Sequence, residues 1–215
     1  MGDDPLNMPA ELSWESAPGR ILREAERFGA GGRVVVVGIT GPVGAGKSTL
    51  ARRVSGAVIS TDSYLPDYEL VPEHERDLPE RADHGLLLKN LSELRAGRES
   101  RVPVWSFLSH RREGEMLFAP APLIVVEGIH ALHGPVAAAM DLRVFVDGSA
   151  SVRWARWDVL ERSGVRGWGP EKARAFFDNV AEPTFNRLAP AYRASAHLIV
   201  RNDTGVPRIE DLRRG

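Results

Sequence analysis

Residues 34–50 read Val34-Val35-Val36-Val37-Gly38-Ile39-Thr40-Gly41-Pro42-Val43-Gly44-Ala45-Gly46-Lys47-Ser48-Thr49-Leu50: a β-branched run, a glycine-rich turn and a helix start. Gly41, Gly46, Lys47 and Ser48 fill the spacing G-x-x-x-x-G-K-[ST] of a phosphate-binding P-loop. Glycines let the backbone curl so that successive N–H groups converge on an anion. The helix that follows adds unpaired N–H groups and the positive end of its dipole. The pattern assigns nucleotide phosphates to Gly41, Val43, Gly44, Ala45, Gly46, Lys47, Ser48 and Thr49. Lys47 is expected to reach the β- and γ-phosphates, and the Ser48 hydroxyl to ligate Mg²⁺. A glycine turn that binds nothing is the plainer alternative. The apolar strand before it and the pattern Leu50, Ala51, Val54 after it supply the context the motif requires.

Outward from this loop, 215 residues suit one α/β unit over 1–215 with a single sizeable core. Basic and acidic residues nearly balance, 28 against 29, so no global field points to nucleic acid or an anionic membrane. Cysteine is absent, which excludes disulfides and thiolate metal sites. No apolar run is long enough to span a bilayer, and the start, Met1-Gly2-Asp3-Asp4-Pro5, is acidic where a signal peptide is basic. The expectation is a cytoplasmic protein.

Along the chain, residues 1–9 read as a loose tail, and Ala10 to Phe28 as a short turn and then a helix, interrupted by Pro18-Gly19. Buried strands are expected at Val34–Ile39, Ala57–Thr61, Leu123–Val126, Leu142–Val146 and His197–Val200. Leu65 to Asp83, rich in proline and charge, reads as a loop or lid, and Leu86–Leu94 as a helix. Two apolar stretches flanking His110–Glu115 suggest a β-hairpin excursion over 100–119. A helix from about Ser151 breaks at Gly164, Gly167 and Gly169-Pro170, which outlines a lid over 153–170; another helix follows from Glu171 toward Leu188. Alternating strands and helices predict a mostly parallel five-stranded sheet covered on both faces, a P-loop NTPase arrangement.

Open α/β sheets bind ligands beyond the carboxyl ends of their strands. Asp62 lies there after the second expected strand, where a carboxylate can take a proton from an attacking hydroxyl; an ordinary turn aspartate is the alternative. Glu127 ends the third, suited to helping Ser48 hold Mg²⁺. Asp147 ends the next with a weaker case. Arg153, Arg156, Arg162 and Arg166, on a glycine-broken helix, suit a lid that closes over phosphates, or else a charged helix face. His110 at a hairpin tip and Trp105 within the hairpin read, on their own, as a solvated histidine and a core ring.

Taken in order, these segments resemble the uridine kinase family, within the group that includes phosphoribulokinase and bacterial pantothenate kinase. The likeness runs from about Arg33 to Asn202. Its anchors are Gly41–Thr49, Ser60-Thr61-Asp62-Ser63-Tyr64, Asp77-Leu78-Pro79, Pro103–His110, Val125-Val126-Glu127-Gly128-Ile129, Phe145-Val146-Asp147, and Glu182-Pro183-Thr184-Phe185 through Ala196–Val200. The resemblance implies an ATP- and Mg²⁺-dependent kinase of a small molecule, most simply the 5′-hydroxyl of uridine or cytidine. It implies Lys47 and Asp62 as catalytic residues, and an acceptor pocket of Asp62, Tyr64, Asp77, Trp105, His110 and Arg166. Family members are often homo-oligomers. Leu65, Leu78-Pro79-Glu80, Ser106 and Trp157 depart from the family pattern, and all fall in the acceptor pocket or lid. Pantothenate, a sugar phosphate or nicotinamide riboside therefore stand as alternative acceptors, and a non-catalytic nucleotide sensor as the alternative from another class.

Overall fold

The computed structural model describes residues 9–205, so the expected tail lies, apart from Pro9, outside the described residues. In chain order the elements are β1 (Ala10–Ser13), α1 (Ala17–Phe28), β2 (Val35–Thr40), α2 (Lys47–Val54), β3 (Val58–Ser60), α3 (His84–Arg95), β4 (Ser100–Ser106) and β5 (Arg111–Phe118). Then come β6 (Leu123–Glu127), α4 (Gly134–Ala138), β7 (Leu142–Asp147), α5 (Ala150–Arg162), α6 (Pro170–Phe176), α7 (Glu182–Ser195) and β8 (Leu198–Arg201). The main sheet has six strands in the order β1-β8-β7-β2-β6-β3, and every neighbouring pair is parallel.

The strands are apolar throughout because the sheet is covered twice. Alternate side chains of a strand point to opposite faces. Val36 packs with Ile124, Val126, Leu87 and Phe185 beneath α3 and α7. Val35, Val37 and Ile39 pack with Ile21, Ala25, Leu50 and Val54 beneath α1 and α2. Each fully buried Val or Ile there contributes on the order of 1.5–3 kcal/mol.

Two expectations are corrected. The sheet has a sixth strand, since Ala10–Ser13, read as a turn, pairs with β8. Four residues with one partly buried apolar position, Leu12, carry too little alternation to be recognised. Pro18-Gly19 does not interrupt α1: Pro18 sits in its first turn, where a missing N–H is tolerated. Farther on, α6 continues through a π-helical turn (Phe177–Ala181) into α7. The wider turn falls where the ring of Pro183 would otherwise press on the carbonyl of Asn179.

The hairpin β4–β5 forms its own antiparallel sheet. A buried asparagine ties it to the rest: Asn90 of α3 donates to Ser100 Oγ (2.7 Å) and to the Arg101 carbonyl (3.0 Å), and accepts from the Tyr64 hydroxyl (2.8 Å). Asn90→Ala leaves buried polar partners unmatched, and is expected to lower unfolding free energy by about 1–3 kcal/mol in urea titrations.

Candidate active site

The phosphate loop is shaped by what holds its carbonyls. Four in succession accept side-chain hydrogen bonds: Pro42 from Lys47 Nζ (3.0 Å), Val43 from Arg153 (3.2 Å), Gly44 from Arg156 (3.2 Å) and Ala45 from Asn202 Nδ2 (2.7 Å). The Ala45 N–H closes the turn onto the Pro42 carbonyl (3.2 Å), and with the carbonyls engaged in this way the other loop N–H groups stand beside the unpaired first N–H groups of α2. Gly44 at φ 76° and Gly46 at φ 97° give the turn its left-handed steps. A methyl group at either would meet the Arg153 carbonyl or the Asn202 side chain.

This changes the role of two residues expected in the lid. Arg153 is buried, paired with Glu182 through both carboxylate oxygens (2.5 and 2.7 Å), and lies behind the loop rather than above it. Arg156 reaches Gly44 and the Asn202–Gly205 turn, bracing one segment against the other. Arg162 is exposed and pairs with Asp158 one helical turn away (2.6 Å), outside the cavity. Its position on the solvent face of α5 explains why it does not reach inward.

Arg166 does reach inward. Its guanidinium lies 4.1 Å over the Phe107 ring and 5.8 Å over Trp157, among the charges of Asp62, Glu161 and Glu127. The lid segment is fixed by Glu161, which accepts from Trp157 Nε1 and from the Gly169 N–H, both at 2.9 Å. Gly167 donates to the Phe107 carbonyl (3.1 Å), docking the lid on the hairpin turn. Trp157, at a departure from the family pattern, thus forms the floor under Arg166.

A cavity of about 860 Å³ runs from the loop to the hairpin, lined by Lys47, Ser48, Asp62, Asp77, Glu127 and Arg166 among others. Ser48 donates to Glu127 (3.2 Å), and Ser60 stands opposite Glu127 in the β3–β6 pair. Burial pushes the carboxyls of Asp62 and Glu127 above their usual range, against the pull of Lys47, and lowers the Lys47 ammonium. Proton exchange with a substrate is easier for a carboxylate raised in this way.

Beyond Asp62 the lining is aromatic. Tyr68 lies edge-on to Trp105 (5.2 Å) and flat to His110 (5.5 Å), while His110 stacks on Trp168 (4.3 Å, 6°). His110 is held in the left-handed region (φ 55°) by its N–H to Ser106 and its carbonyl to Tyr68. Its imidazole is lowered to about 4 by burial beside Arg166 and Lys172, so it stays neutral. Tyr68 donates to Asp77 (3.3 Å).

Tyr64 is not part of this lining. It is 1 % exposed and packs in the core beneath α3, with its hydroxyl spent on Asn90. Tyr68, four residues on, stands in the cavity instead, in a stretch of short 3₁₀ turns without a readable period. Trp168, Glu161 and Asn202 were also missed, since each acts through tertiary contacts. Asp147 is engaged by Arg193 (2.7 Å) and Arg201 (2.8 Å) at the carboxyl end of β7 and is structural.

Burial, with repulsion from Asp62, pushes the Asp77 carboxyl up to about 7. The folded protein therefore holds a proton that the unfolded chain has lost above pH ~4, and stability falls as pH rises between these values. Urea unfolding from pH 4.5 to 8 is expected to show a loss on the order of 3 kcal/mol that Asp77→Asn removes.

No helix among the described residues is long and apolar enough to cross a membrane. The family model described as "Phosphoribulokinase / Uridine kinase family" matches residues 68–202. The uridine kinase of Staphylococcus haemolyticus is 30% identical over 179 residues, covering 77% of this chain and 86% of that protein. Two solved structures share the fold. One is a protein provisionally assigned as a fructose transport system kinase from Silicibacter sp. TM1040 (TM-score 0.64, 16% identity, 84% of this chain and 97% of that one). The other is a possible uridine kinase from Bacillus stearothermophilus (TM-score 0.60, 14% identity, 86% and 99%). A braced phosphate loop facing buried carboxylates, together with these matches, makes the chain a member of the phosphoribulokinase/uridine kinase family, a P-loop phosphotransferase that acts on a hydroxyl group.

Proposed function

We propose that the chain transfers the γ-phosphoryl of ATP to the 5′-hydroxyl of a pyrimidine nucleoside, uridine or cytidine. The observation that carries this reading is the shared cavity. Phosphate-binding groups, Asp62 and an aromatic chamber with its own carboxylate line one continuous space. The chamber of Tyr68, Trp105, His110 and Trp168 favours a flat ring over an extended alcohol such as pantothenate.

In this reading the loop N–H groups and Lys47 bind the phosphates, and Lys47 leaves the Pro42 carbonyl to do so. Asp62 accepts the hydroxyl proton and aims its oxygen. Asp77, at the chamber wall, takes the vicinal ribose hydroxyls, and neutral His110 offers one donor and one acceptor to the edge of the base. Arg166 meets charge that develops on the moving phosphoryl group. The lid–hairpin contact at Gly167 keeps water from the phosphoryl group. Ser48 and Glu127 offer hard oxygen donors suited to Mg²⁺, which when bound neutralises phosphate charge.

Lys47→Ala is expected to abolish turnover, and Asp62→Asn to cut it by about 10²-fold or more. The acceptor is decided by a phosphate-transfer screen across nucleosides, pantothenate, fructose, sugar phosphates and nicotinamide riboside. Fastest transfer to uridine or cytidine supports the proposal; fastest transfer to a non-nucleoside alcohol refutes the acceptor and leaves the donor half standing. Undiminished turnover by Asp62→Asn on the true acceptor removes the role given to that carboxylate.

A further inference from the structure

One aromatic residue of the cavity, Trp14, comes from neither the hairpin nor the lid and its flanking helices. Trp14 lies in the turn after β1, and β1 pairs with β8 so that Ser13 stands opposite Arg201. The next residues, Trp14 and Asn202, therefore emerge side by side at the carboxyl edge of the sheet, where ligands of open α/β sheets bind. The six-membered ring of Trp14 lies against Gly46: a methyl group at that glycine would come within 3.1 Å of Cη2. The Arg53 guanidinium lies over the ring, 5.6 Å from its centroid. Trp14 is half-buried and lines the cavity with Gly46, Arg156, Asn202 and Thr204.

The polar side chains on its Asn202 side are already engaged. Arg156 donates to Gly44, Asn202 and the Thr204–Gly205 backbone, Asn202 Nδ2 donates to Ala45, and the Thr204 hydroxyl donates to Asn202 Oδ1. What this end of the cavity offers a ligand is chiefly a ring edge and face beside backbone carbonyls. A flat heteroaromatic ring gains stacking on the indole there, which no other side chain at this end of the cavity supplies.

We infer that Trp14 is the platform for the heteroaromatic base of the donor nucleotide, carried to the phosphate loop by the edge strand β1. The inference rests on the reading of residues 41–49 as the donor's phosphate site. It makes a strand that adds little to the core a determinant of donor affinity.

Calorimetric titration of the full chain with Mg·ATP, and separately with inorganic tripolyphosphate, tests it. Tripolyphosphate keeps the phosphate contacts and lacks the base. Trp14→Ala is expected to raise the Kd for ATP about tenfold, within the reach of stacking one base on one aromatic side chain, and to leave that for tripolyphosphate unchanged. Trp14→Leu keeps an apolar contact with Gly46 and should show the same split, so the comparison survives if the alanine variant does not fold. Equal weakening of both ligands would make Trp14 a prop for Gly46 and overturn the proposal, as would no weakening of either. Failure of tripolyphosphate to compete with ATP in the unsubstituted protein would sink the phosphate-site reading itself, and the platform with it.

Discussion

Everything the site does depends on engaging three consecutive carbonyls of one loop, those of Val43, Gly44 and Ala45. A peptide unit presents its N–H and C=O in opposite directions, so an anion cradle needs the oxygens engaged elsewhere. Here they are engaged by Arg153, Arg156 and Asn202. Two of these are buried arginines, which low-dielectric surroundings tolerate only with partners. Glu182 supplies the countercharge for Arg153, and the backbone and side-chain oxygens of residues 202–205 satisfy Arg156. Positive charge thus stands behind the loop, where it supports an anion in front without touching it.

The opposite wall follows a different logic. Asp62, Asp77 and Glu127 are brought into one buried space with Lys47 and Arg166, and burial raises all three carboxyls. Such a cluster is costly to the resting fold and is held by its surroundings: β3 and β6 deliver Asp62 and Glu127 from adjacent strand ends, and the hairpin and lid close over them. Similar strain between local preference and tertiary need appears at His110, the only non-glycine residue among those described with positive φ.

Much of this was legible in the sequence wherever the signal is local. The phosphate loop, the five expected strands, the hairpin and the strand-end carboxylates each depend on residues within a few positions of one another. What could not be read is what depends on distant partners. Arginines spaced along α5 look alike in the chain, yet Arg153 faces Glu182, Arg156 faces Asn202 and Arg162 faces water. Tyr64 and Tyr68 are both tyrosines within six residues of Asp62; the path of the 3₁₀ turns sends one to the core and the other to the cavity. The edge strand carrying Trp14 was invisible because pairing with β8, rather than any pattern of its own, makes it a strand.

The bond from Asn202 to Ala45 joins residues 157 positions apart. A ribosome therefore releases the glycine-rich turn long before the segment that completes it. Contacts of such long sequence separation form late and slow the search for the native state. The phosphate-loop motif is therefore a local pattern whose finished shape is set by the other end of the domain.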